Sequence, residues 1–167
     1  MRETVAKDAL VALAAVLAAV GAYALAGAAA PEWLVVFNAF SVVVLHFSVR
    51  RGEVFGALLG TACGLVQDAF TLGVFGVAGL TKTLLGFWTG YVSRRIDVAP
   101  FGRHALFLLV MSVAEMLLWV LITAVVRLES IALHGGLLFV QPLVTAVLAS
   151  SLAVLERRIG ARRARGG

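Results

Sequence analysis

Three charged side chains interrupt otherwise apolar stretches: Asp68, Lys82 and Glu115. At the centre of a lipid-embedded helix each would cost about 2.5–3.5 kcal/mol, so each demands a counter-charge, a hydrogen-bonding partner or neutralisation. Gly56, Gly60 and Gly64 recur at four-residue spacing, and Asp68 is the next member of that row. The acid therefore lies on the helix face that permits the closest approach of a neighbour. Gly79, Lys82, Gly86 and Gly90 repeat the arrangement on the following helix. Counting back from a turn near Thr71–Gly76 brings Asp68 and Lys82 to similar depths, which predicts a buried ion pair across a glycine-lined interface. Glu115 joins that pair if its helix packs beside that of Lys82, and otherwise sits protonated and neutral. Such a polar centre serves coupling, ion movement or partner recognition, or it clamps the register of the helices.

Other side chains that do chemistry elsewhere are isolated here. His46, His104 and His134 lack a second ligand at metal spacing, and Cys63 falls among the glycines as a small packing residue. No nucleophile stands beside a base and no glycine-rich loop is built to cradle phosphate, so we expect no enzyme activity, cofactor or metal.

The elements that must hold the three charges follow from composition. Of 167 residues 62% are hydrophobic and 14% charged, and the mean hydropathy is +1.02. Soluble domains are about 45–50% apolar and about 25% charged. These values exclude a soluble globule and a disordered chain, and a single cysteine excludes a disulfide scaffold. An all-α integral membrane protein remains, with room for about six helices of the roughly 20 residues that a bilayer requires. The runs fall at about 9–30, 33–49, 54–70, 76–93, 105–126 and 134–155, with a basic tail at 156–167, in a single domain. The first also has the basic start and the small residues (Ala24 to Ala30) of a signal peptide, although it is longer than a signal core. It carries an alanine row as well: Ala14, Ala18, Ala22, Ala26 and Ala30. Pro142 should kink the last helix.

All of the 14 Lys and Arg except Lys82 and Arg127 fall on one side of this arrangement. The positive-inside rule makes that side, with both termini, cytoplasmic. The net charge of +5 and the isoelectric point near 10.4 then reflect juxtamembrane clusters drawn to anionic lipid headgroups. No aromatic platform beside them suggests nucleic acid.

The stretch Gly64-Leu65-Val66-Gln67-Asp68-Ala69-Phe70, followed by Phe75-Gly76-Val77-Ala78-Gly79-Leu80-Thr81-Lys82 and Gly86-Phe87-Trp88-Thr89-Gly90, resembles the rod shape-determining MreD family. The family signature is a helix-ending Gly and Asp, a short turn and a Gly opening the next helix. Gly64, Asp68 and Gly76 match it, and Lys82 with Gly86 looks like a variant found in part of the family. The resemblance implies a multi-pass protein of the bacterial cytoplasmic (inner) membrane. It would be a non-enzymatic scaffold or regulator of the cell-wall elongation complex, required for rod shape and lateral peptidoglycan synthesis. Implied partners are an MreC-like periplasmic protein and, directly or through it, MreB, RodA and a class B penicillin-binding transpeptidase. The implied fold is similar to the substrate-binding subunit of energy-coupling-factor transporters. That similarity supplies an alternative function in vitamin-type uptake, with the alanine row as a partner surface. The short, apolar outer connections, such as Thr71 to Phe75, offer few groups for a ligand pocket.

Overall fold

The computed structural model describes residues 2–29, 37–70, 74–96, 101–127 and 139–165, and among them every regular element is helical. The helices are α1 (Arg2–Ala29), α2 (Ala39–Arg51), α3 (Glu53–Phe70), α4 (Val77–Ser93), α5 (Phe101–Arg127) and α6 (Gln141–Arg165). Two contain stretches long and apolar enough to cross a membrane, Leu10–Ala28 in α1 and Gly102–Val126 in α5. Only 17% and 22% of their apolar windows are buried within the chain. They are thus unlike the core helices of a water-soluble protein, whose apolar residues face inward. Leu13, Leu17 and Leu25 of α1 and Leu106, Leu117 and Leu121 of α5 point outward.

The shortest helix holds the centre. With 13 residues, α2 touches all five others and buries Phe40, Ser41, Val43 to Ser48 and Ala39. Its start is fixed by Asn38, whose Oδ1 accepts the Ser41 amide at 3.2 Å, the usual way of satisfying an orphan donor in a first turn. Its end is fixed by Gly52, whose φ of +91° turns the chain directly into α3 while its amide donates to the Ser48 carbonyl at 2.9 Å. A side chain at Gly52 would be strained in that conformation and would also overlap the Arg94 guanidinium.

The most extensive pairing is α3 with α4, followed by α2 with α3 and α5 with α6. A Cβ added at Gly56, Gly60, Gly64, Gly86 or Gly90 would lie under 3.0 Å from backbone of the facing helix or its joint. Five of the expected glycines therefore do allow close approach. The other two act differently. Gly76 has open space around it but a φ of +97°, so it is required for its left-handed conformation; Gly79 would meet side chains rather than backbone, Leu65 at 3.1 Å and the Asp68 carboxylate at 3.7 Å.

Several expected limits shift. The helix expected at 105–126 begins at Phe101, and the basic tail is helical as far as Arg165. Because α6 starts at Gln141, Pro142 lies in a first turn, where its missing amide breaks no hydrogen bond, and it produces no mid-helix kink. Ala14 and Ala18 of the alanine row face outward, while α1 meets α2 through Ala12, Ala19 and Tyr23. Large β-branched and aromatic side chains on α2 need the small ones opposite, so the buried alanines are those set by the partner rather than by the longest row. Ala30, Trp33, the Thr71–Gly73 part of the turn and His134 lie outside the described residues.

Candidate functional site

Three helices converge on a charged triangle. Lys82 of α4 extends its ammonium to Glu115 Oε1 of α5 at 2.6 Å and to Ser41 Oγ of α2 at 2.7 Å. Ser41 in turn donates to the same Glu115 oxygen at 2.6 Å. Exposure is 0% for Ser41, 2% for Lys82 and 7% for Glu115, so water does not screen the pair. Charge-assisted bonds this short are roughly twice as strong as neutral ones, but they must offset a desolvation penalty of several kcal/mol per ion. The Ser41 hydroxyl serves both ions at once, accepting from the ammonium and donating to the carboxylate.

Each vertex is set by its own backbone. Asn38 fixes the turn that carries Ser41. Gly60 receives the Lys82 carbonyl where a side chain would otherwise stand, so the glycine row of α3 sets the depth of the lysine. The Thr61 and Thr83 hydroxyls meet at 2.8 Å across the same interface.

Asp68 does other work. Its Oδ2 accepts the amides of Gly76 at 2.9 Å and Gly79 at 3.0 Å, and its Oδ1 accepts that of Ala78 at 3.1 Å. The carboxylate at the end of α3 thus caps the start of α4, where unpaired amides and the helix dipole favour an anion. The expected Asp68–Lys82 pair does not form. The amides compensate the aspartate, and the lysine reaches across to α5 instead. The condition set for Glu115, packing of α5 beside α4, holds, but Glu115 replaces Asp68 as the partner of Lys82 instead of joining an Asp68–Lys82 pair.

Ser41 and Asn38 were not among the expected site residues. Their signal was the presence of polar residues inside the otherwise apolar run at 33–49. His46 lies apart, at the far end of α2, with Nε2 3.2 Å from Glu156, which also receives Arg50. Arg94 donates to the Arg51 carbonyl at 2.9 Å and stands 3.5 Å from Glu53. His104 is buried on α5, and Cys63 is a free, buried thiol in the core. Among the described residues no three His, Cys, Asp or Glu are grouped to hold a metal ion.

Among the described residues the chain is thus all-helical, with two helices fit to cross a membrane and a satisfied ion pair buried among three helices. Comparisons with protein-family models, curated proteins and solved structures find no match.

Proposed function

We propose that this chain is a six-span, non-enzymatic membrane scaffold of the MreD type, which holds or regulates the complex that elongates the bacterial cell wall. The observation that carries the reading is the Asp68 cap. The residues of the resemblance, Gly64, Asp68 and Gly76, build one hairpin in which the acid satisfies three amides of the helix that Gly76 opens. Gly64 packs against Ala78 and Gly79 of that helix. Each residue of the motif thus has a defined role in this hairpin, which supports the reading.

The topology reading, with both termini in the cytoplasm, has its own support. Contacts of Arg94 with Arg51 and of Arg50 with Glu156 gather basic groups of α2 and α4 and the end of α6 at one pole. That is the pole the positive-inside rule turns toward the cytoplasm. The partners in this reading are an MreC-like periplasmic protein and the wall synthase behind it.

Depletion from a rod-shaped host tests the proposal. Cells should become round, and tagged protein should co-purify with the host's MreC-like protein. Unchanged rods with normal lateral wall insertion would overturn it. A vitamin-type molecule bound one-to-one, released on denaturation and identified by mass spectrometry, would replace it with the uptake function.

A further inference from the structure

The outward face of α4 is organised differently from the other exposed helix faces. Leu80, Leu84, Phe87, Trp88 and Tyr91 lie within an arc of roughly 100° at 3.6 residues per turn, and Arg95 follows in the turn that ends the helix. Gly86 and Gly90 lie on the opposite side, against α3 and the joint that precedes it. Leu80 and Trp88 are about half exposed. The stripe ends in an ordered aromatic shelf beside the Arg94–Arg95 cluster. This corrects the expectation that no aromatic platform accompanies the basic groups, because helical spacing brings Phe87, Trp88 and Tyr91 together next to the turn that carries Arg95. Phe87 and Tyr91 stack with an interplanar angle of 13°, and Trp88 stands edge-on to both. The Arg95 guanidinium lies over the Tyr91 ring, 4.2 Å from its centroid.

That stacking consumes the flat face of the guanidinium and leaves its edge, which carries the N–H donors. Among the described residues Arg95 has no carboxylate partner, whereas Arg94 faces Glu53 and Arg50 faces Glu156. A fork of donors held at the foot of an apolar stripe fits a phosphate attached to a hydrocarbon chain. The dimensions agree. Leu84 to Ser93, the last residue of α4, covers about 14 Å of helix rise, close to the roughly 15 Å of one leaflet's hydrocarbon. Tyr91, which lies against Arg95, would then sit nearest the headgroups.

We propose that this face binds one anionic phospholipid, its phosphate on Arg95 and an acyl chain along Tyr91, Trp88, Phe87 and Leu84. The proposal rests on the reading of α4 as a membrane span and is independent of any role in wall elongation. Charge complementarity selects the occupant: a basic pole meets an acidic headgroup, and the continuous stripe above it suits a chain rather than a soluble anion.

Native mass spectrometry of the detergent-purified full chain, titrated with phosphatidylglycerol or with phosphatidylcholine of the same acyl chains, tests it. The first phosphatidylglycerol should bind about fivefold tighter than phosphatidylcholine, the contribution expected of one basic side chain at the surface. Arg95→Gln should remove the preference, Tyr91→Leu should weaken it about two- to fivefold, and the exposed Arg158→Gln should leave it intact. Equal affinity of the parent chain for both lipids would overturn the site. So would an equal loss in Arg158→Gln, which would mean diffuse charge, or a photo-cross-link from position 88 that captures a protein instead of lipid. Failure of the shape assay leaves these readouts standing, whereas a chain that stays monodisperse in buffer without detergent overturns the membrane reading beneath both proposals.

Discussion

At the scale of single residues, the buried triangle makes unequal demands on its members. Lys82→Met strands the Glu115 carboxylate, and removing one partner of a buried pair costs about 3–5 kcal/mol. We therefore expect the variant to lose most of its thermal stability in detergent and to accumulate poorly. The double variant Lys82→Met with Glu115→Met removes both charges and should recover most of the loss, since apolar replacement of a whole buried pair is often neutral. If the double variant is as impaired as the single one, the pair has a role beyond mutual neutralisation. Ser41→Ala should cost less, about 1–3 kcal/mol, because the ions keep each other when the bridging hydroxyl is lost. Asp68→Asn is a separate experiment. It keeps one carbonyl acceptor for the α4 amides but drops the charge beside the helix start, so a loss of about 1 kcal/mol in unfolding stability is expected. Of these residues, sequence alone identified the three charges but mispaired them. Depth along adjacent helices can be counted from a turn. The approach of α5 to α2 and α4 depends on packing between elements far apart in the chain, and Lys82 and Glu115 are 33 residues apart.

At the scale of elements, the α3–α4 hairpin was the most legible part of the fold, because glycine spacing encodes a helix face directly. What spacing could not separate was the reason for each glycine. Gly60 is needed for space, and Gly76 for its positive φ. This difference is testable. Gly60→Ala forces a methyl group against the Lys82 carbonyl and should destabilise the chain by about 1–3 kcal/mol or more, as overpacking does. It should also weaken the triangle, because the lysine backbone must move. Gly21→Ala in α1 meets nothing within 4 Å and should be neutral or stabilise by up to about 1 kcal/mol through helix propensity. Melting temperatures of the two variants in one detergent provide the comparison, and equal effects would mean that the α3–α4 interface tolerates a side chain. The limits of α6 were less legible, since the apolar residues before Gln141 continue the hydropathy of the helix without marking its start.

The whole molecule resembles a collar around α2. If the six-span reading holds, lipid supplies little hydrophobic drive between helices, and cohesion must come from close packing and polar bonds. Both are concentrated on α2, α3 and α4, whereas α1 meets chiefly α2. The topology reading makes a direct prediction. Cys63 is the single cysteine and is fully buried, so the parent chain should resist a membrane-impermeant maleimide. Arg158→Cys should react only after intact cells are permeabilised. Labelling of Arg158→Cys in intact cells would reverse the orientation.

The charged triangle also imposes an order in time. Its members leave the ribosome in sequence: Ser41 first, then Lys82, and Glu115 only 33 residues after the lysine. At about 5–20 residues per second, Lys82 waits roughly two to seven seconds for its counter-ion. On the six-span reading, a growing chain entering the bilayer holds an uncompensated ammonium during that interval. Nascent chains stalled before Glu115 should therefore be the species that insertion factors and membrane proteases engage longest, and release should coincide with synthesis of α5.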